Sequence, residues 1–199
     1  MSILLIGNGP SVLQNKCGAL IDEFDLVVRF NNFELEGYGD YVGHKSDILC
    51  RRACDDVKWW PISMFKLVYC FVPLCKWTPW MPPVVQSVKN FYRNKCIIVD
   101  TDLTARTAAR LKQYDPQTKW PSIGMLAIDY FVNYYDEVIT IHGFDHLVET
   151  EGQIQHYYPT KPKDSRYHDG GVEREYINGL INDGKLIKLT SIISAKERR

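Results

Sequence analysis

The stretch "ILLIGNGPSV", residues 3–12, sets a short leucine- and isoleucine-rich run directly against a Gly-Asn-Gly-Pro-Ser turn. An apolar run of that length, closed by turn residues, reads as a strand. The glycines relax the turn at its carboxyl end, where backbone N–H groups and the Asn8 and Ser11 side chains face a ligand. A tight turn with a helix cap fits equally well, and the stretch alone leaves both readings open.

Runs of the same kind recur along the chain: "LVVRF" (26–30), "DILC" (47–50), "KLVYCFV" (66–72), "CIIVD" (96–100), "VITIHGF" (138–144) and "KLIKL" (185–189). Helical stretches separate several of them. Residues 101–114 offer Thr or Asp caps and helix-forming Ala, Arg and Leu, and 122–135 open on a serine cap and are apolar on most sides. Residues 171–184 place Val172, Tyr176, Leu180 and Ile181 on one face and end at Gly184 as a C-cap. Strands alternating with helices predict an α/β fold: a single Rossmann-like domain over 1–199, with a mostly parallel twisted sheet of about seven strands flanked by helices. The prolines of "WTPWMPPVV" (77–85) predict a loop, and "HYYPTKPKDSRYHDGG" (156–171) reads as a long polar loop bordering a site.

Composition excludes several classes. A net charge of zero over 199 residues argues against general nucleic-acid binding, which needs an excess of Lys and Arg. No window approaches the roughly 18 apolar residues of a membrane span. The six cysteines, Cys17, Cys50, Cys54, Cys70, Cys75 and Cys96, contain no CxxC pair and read as free thiols in a reducing compartment. A dinucleotide fingerprint needs a third glycine where Val12 stands, and its acidic partner would fall near Asp25, which begins a strand rather than ending one. A nucleotide-dependent oxidoreductase is disfavoured on both counts.

Four segments carry the chemistry. Around the first turn stand Asn8, Gly9 and Ser11; "LIDEFDLVVRFNNF" (20–33) ends a strand with Arg29 and Asn31, and "VGHKSD" (42–47) follows. "WPSIGMLAIDYFVNYYDEVITIHGFD" (120–145) sets Ser122, Ile123 and Gly124 at a helix N-terminus, where free N–H groups and the helix dipole favour a phosphate or carboxylate. There Gly124 allows a ligand close to the backbone. "QHYYP" supplies His156, Tyr157 and Tyr158, and "HDGGVE" supplies His168 and Glu173. Two histidines in one aromatic-rich loop suit acid–base chemistry because imidazole titrates near neutral pH.

In this order, the segments resemble the large, small, His-Tyr and His-x4-Glu sialyl-motifs of glycosyltransferase family 29, the sialyltransferases. Family 42 shares the G-N-G-P-S turn and the serine–glycine helix start and is the second resemblance. Family 29 implies a variant GT-A fold and inverting, metal-independent transfer of sialic acid from CMP-sialic acid to a hydroxyl of a glycan acceptor. It assigns His168 as general base and His156 as the second catalytic group. The CMP donor falls to Asn8, Gly9, Ser11, Asn31, Ser122, Ile123, Gly124 and Tyr157. Glu173 takes a supporting role, and Arg29 either meets donor charge or forms a structural ion pair with Asp25. No metal or other cofactor is implied; a magnesium site at Asp100 and Asp102 is the rival reading.

Animal members join the large motif to the small one by a disulfide. The matching positions here are Ser2 or Ile3 and Tyr135, so the resemblance implies that this bridge is absent and favours a reducing compartment or a lineage outside the animal secretory pathway. It also implies a catalytic core without a membrane anchor, cytoplasmic or soluble, and in the Golgi lumen only if an anchor was removed. The partners implied are the CMP-sugar donor and the glycan acceptor. Two alternatives remain: another CMP-activated keto-sugar such as CMP-Kdo as donor, and a non-catalytic nucleotide-sugar or glycan-binding module, against which the intact His168 argues.

Overall fold

The computed structural model of the chain describes residues 1–54, 56–72, 81–99, 101–145, 149–150, 153–154, 156–159 and 168–197. Its strands are β1 (Ile3–Ile6), β2 (Leu26–Phe30), β3 (Ile48–Arg52), β4 (Leu67–Phe71), β5 (Cys96–Val99), β6 (Ile139–His142), β7 (Glu149–Thr150), β8 (Gln153–Ile154) and β9 (Leu186–Lys188). Seven of them form one sheet in the order β5-β4-β3-β2-β1-β6-β9, every neighbour parallel. β7 and β8 pair antiparallel by themselves. Each of the seven apolar runs in the sequence supplies one strand of the sheet.

Those runs are continuous rather than alternating because both sheet faces are covered. Ile3 and Leu5 enter a core shared with α4 (Thr101–Leu111), α5 (Ile123–Tyr134) and α6 (Gly170–Asn182). Leu4 and Ile6 point the other way, toward α1 (Gly18–Asp22), α2 (Gly39–Val42) and α7 (Leu189–Glu197), while α3 (Met81–Tyr92) covers β3 and β4 on that side. α5 is apolar on most sides because Met125, Leu126, Ala127, Ile128 and Phe131 are all buried. The fully buried Asp129 ties the three helices of its layer together, accepting from Thr107 Oγ1 at 2.7 Å, Arg110 Nη1 at 2.6 Å and Tyr176 OH at 2.7 Å. A buried carboxylate is tolerated when so many donors replace its water.

Three local expectations change. Residues 81–85, read as loop, open α3; Pro82 and Pro83 sit in its first turn, where an N–H has no intrahelical acceptor and its loss is free. Residues 77–80 lie outside the described residues. α4 ends at Leu111 instead of 114. On α6, Ile177 and Glu173 join Val172 and Leu180 on the buried face, whereas Tyr176 and Ile181 are half-buried at its margin. Gly184, at φ +70°, closes α6 as expected. Cys17, Cys50, Cys54, Cys70 and Cys96 are free thiols; Cys75 lies outside the described residues. No helix among the described residues is long and apolar enough to cross a membrane.

The strand order locates the crevice. From β1 the chain builds outward through β2 to β5, then crosses to β6 on the other side of β1. In open α/β sheets, ligands bind at the carboxyl ends of the strands where the order reverses. That switch point lies between β1 and β6, which carry the 7–11 turn and the 143–145 turn.

Candidate active site

The two turns at the switch point are bonded to each other. Gly7 N donates to His142 O at 2.8 Å and Gly9 N to Gly143 O at 2.9 Å. A Cβ on Gly7 or Gly143 would come within 3.0 Å of the facing turn, closer than real Cβ atoms approach. The glycines therefore let backbone meet backbone. Ser11 is turned inward too: its N–H donates to Asp145 Oδ2 at 2.7 Å and its hydroxyl to Oδ1. Gly124 likewise makes room for a side chain, since a Cβ there would meet the Phe144 ring at 3.0 Å. Phe144 packs edge-on against Phe30 at 5.6 Å and also borders Gly7, so one ring links β1, β2 and α5 at the carboxyl edge.

Residues 20–48 hold one another. Arg29 is 1% exposed and donates to the Val42, Gly43 and Lys45 carbonyls and to Ser46 Oγ at 2.8–3.2 Å. Burial pushes its guanidinium down to about 10, so it stays charged at neutral pH. The expected ion pair with Asp25 does not form; Asp25 accepts from the Ser2 N–H and hydroxyl at 2.7 and 3.0 Å. Asp22 accepts from the His44 and Lys45 N–H groups, both at 2.8 Å, beyond Gly43 at φ +66°. Asn31, at φ +46°, accepts from Arg52 N through Oδ1 and from Trp60 Nε1 through its carbonyl. Asn8 Nδ2 donates to the Phe30 and Asn32 carbonyls at 3.2 and 2.8 Å, which leaves Oδ1 without a partner among the described residues.

The 156–158 segment closes onto this edge. Tyr157 N donates to Asn8 O at 3.0 Å, and its hydroxyl both accepts from Glu34 N and donates to Glu34 O. Tyr158 donates its hydroxyl to Asn32 O, and the half-buried His156 ring lies 5.3 Å from the Tyr158 ring.

The start of α5 is gripped by the start of α6. Asp169 caps α6 by accepting from Val172 N at 3.2 Å. Glu173, 5% exposed, accepts from Ser122 N at 2.6 Å and Ser122 Oγ at 2.8 Å. Ser122 Oγ in turn caps α5 by accepting from Met125 N at 3.1 Å. The Ile123 and Gly124 N–H groups keep no acceptor among the described residues, as the first amides of a helix do. Burial raises the Glu173 carboxyl to about 7, against the lowering by its two Ser122 bonds.

His168 Nδ1 lies 2.9 Å from the Trp120 carbonyl oxygen. A carbonyl only accepts, so Nδ1 carries the proton and Nε2 keeps its lone pair. Burial lowers the His168 pKa against the raising by the Trp120 contact, and the nearby charges of Arg52 and Lys119 lower it further, which favours the neutral ring. A neutral imidazole with an unprotonated Nε2 has the chemistry to accept a proton.

Comparison with known proteins matches the family model described as "Glycosyltransferase family 29 (sialyltransferase)" to residues 4–54 and 54–185. The chain belongs to glycosyltransferase family 29. The "Type 2 lactosamine alpha-2,3-sialyltransferase" of Mus musculus is 24% identical over 215 residues, covering 94% of this chain and 64% of that protein. The "Lactosylceramide alpha-2,3-sialyltransferase" of Rattus norvegicus is 22% identical, covering 91% and 54%. The chain thus spans 54–64% of the length of these relatives. A solved mammalian sialyltransferase in complex with Gal-beta-1-3GalNAc-ortho-nitrophenol has a TM-score of 0.67 at 18% identity, over 94% of this chain and 68% of that one; the likeness establishes the fold.

Within this family 29 chain, the sequence did not point to Phe144, Asp145 or the Trp120 carbonyl. Their roles depend on which loop faces which, and only the "GFD" turn hinted at two of them. Among the described residues no three His, Cys, Asp or Glu side chains converge as a metal-binding set. Asp102 sits in the first turn of α4, and Asp100 lies outside the described residues.

Proposed function

We propose that this chain moves sialic acid from CMP-sialic acid to a hydroxyl of a glycan acceptor, with inversion and without a metal ion, using His168 as general base. The observation that carries the reading is the contact of His168 Nδ1 with the Trp120 carbonyl, which presents an unprotonated Nε2. In the reaction, the acceptor oxygen attacks the anomeric carbon opposite the phosphate, and Nε2 takes its proton. The bond from anomeric carbon to phosphate oxygen breaks, and the electron pair leaves on CMP. The transition state has oxocarbenium character, flanked by the donor's own carboxylate.

Negative charge on the departing phosphate is met by the open N–H groups of Ile123 and Gly124, reinforced by the α5 dipole, with His156 as a further donor. Asn8 offers Oδ1 to the nucleoside, while Asn31 and Tyr157 shape the wall around it through their bonds to β3 and the 34 turn. Glu173 positions the α5 start, and Arg29 serves the fold. The identity of the relatives as sialyltransferases supports the donor class.

The test is a donor screen by CMP release with CMP-sialic acid, CMP-Kdo and a non-CMP sugar nucleotide, each with and without excess EDTA. The reading predicts acceptor-dependent release from CMP-sialic acid that EDTA leaves intact. Release from CMP-Kdo alone would overturn the donor, and an EDTA loss restored by magnesium would move attention to Asp100 and Asp102.

A further inference from the structure

The 7–11 turn stands where dinucleotide-binding folds hand backbone N–H groups to a pyrophosphate. Here the N–H groups of Gly7, Gly9 and Ser11 are taken by the protein itself, and only that of Asn8 has no acceptor among the described residues. Gly7 N and Gly9 N go to the His142 and Gly143 carbonyls, Pro10 has no N–H, and Ser11 gives both its N–H and its hydroxyl to the Asp145 carboxylate. The carboxylate also abuts the α-carbon of Gly9, where an added Cβ would overlap it. No cation lies within ion-pair distance of Asp145 among the described residues. Its neighbour His142 is buried and held below the ordinary imidazole range, so it is neutral at pH 7.

We propose that Asp145 is a specificity-determining residue for the donor nucleotide: its carboxylate fills the anion-binding capacity of the 9–11 turn and excludes a second phosphate, selecting a nucleoside monophosphate. This rests on the CMP-donor reading and deepens it. Among the described residues the open N–H groups of Ile123 and Gly124, with that of Asn8, remain for one phosphate. A second phosphate reaching the β1–β6 crevice meets a like charge that no cation among the described residues pairs, and such juxtaposition opposes binding strongly. A fixed carboxylate at this turn thus separates a CMP-sugar enzyme from folds that bind diphosphates at the same edge.

The experiment is calorimetric titration of CMP and CDP into the wild-type chain, Asp145→Ala and Asp145→Asn, with Tm recorded for each. The asparagine variant is isosteric and keeps one oxygen for Ser11, so it carries the test if the alanine variant folds poorly. Wild type is expected to prefer CMP over CDP by about tenfold or more, and both variants to narrow that preference by about tenfold. An unchanged CMP-to-CDP ratio in the folded variants, with both nucleotides weakened alike, would reduce Asp145 to a structural latch and overturn the proposal. A wild-type chain that binds neither nucleotide would overturn the CMP reading itself and this inference with it.

Discussion

Glu173 accepts the Ser122 N–H at 2.6 Å and the Ser122 hydroxyl at 2.8 Å, joining the first turn of α6 to the N-cap of α5. Five residues earlier, His168 holds the Trp120 carbonyl. The two contacts grip residues 120 and 122 from one side and fix where the imidazole hangs relative to the open α5 amides. The His-x4-Glu spacing therefore has a geometric reason: His168 holds the Trp120 carbonyl, and Glu173 locks the strip of backbone that orients the imidazole.

Burial of Glu173 has a measurable pH signature. Its carboxyl rises from the ordinary 4.5 to about 7 on folding, so the folded state holds the proton more tightly than the unfolded state. The associated stability is fully present below pH 4.5, is lost as pH rises toward 7, and is constant above. Thermal unfolding of wild type should lose ground over that window relative to Glu173→Gln, which has no charge to bury. Parallel Tm profiles for the two proteins would contradict the burial argument.

The pH dependence of transfer follows from His168. Its pKa lies below the ordinary 6.5, so the neutral base survives to lower pH than in an exposed histidine. The acid limb of kcat/KM should have its midpoint below 6.5. Glu173→Gln should retain that limb, because Glu173 contacts Ser122 and not the ring. A midpoint above 7, or a limb that vanishes with Glu173→Gln, would assign the titration elsewhere.

Gly143 and Gly37 separate backbone strain from crowding. Both have positive φ, +70° and +77°, but a Cβ on Gly143 would strike Val12 and the Gly7 carbonyl while one on Gly37 meets nothing within 4 Å. Gly37→Ala should cost about 1–2 kcal/mol, the left-handed penalty alone. Gly143→Ala should cost more and weaken CMP binding at least tenfold, since it forces the two crevice turns apart. Chemical denaturation with nucleotide titration reads both, and equal losses in the two variants would remove the crevice from the explanation.

Most of the architecture is legible in the sequence because both sheet faces are buried, so each strand is an unbroken apolar run between turn residues. α3 was hidden by Pro82 and Pro83, which forbid a helix interior but fit a first turn. The site is legible unevenly. Ser122 as a cap and His168 as a candidate base are local signals, readable from neighbours along the chain. Gly9 and Ser11 also signal a ligand loop, yet their nearest ligand is the chain's own Asp145, 134 residues away from Ser11. Arg29 looks like a charge poised at a strand end, and burial turns it into a clasp for the 42–46 turn. Side chains that act on sequence-distant backbone leave no local pattern.

As proposed, His168 takes the acceptor proton in transfer from CMP-sialic acid. Single-turnover transfer and CMP titration on wild type and His168→Ala test it most directly. The account predicts that the variant loses transfer by a factor of about 100 or more while binding CMP within about threefold of wild type. Near wild-type transfer by His168→Ala, with CMP binding intact, would contradict it.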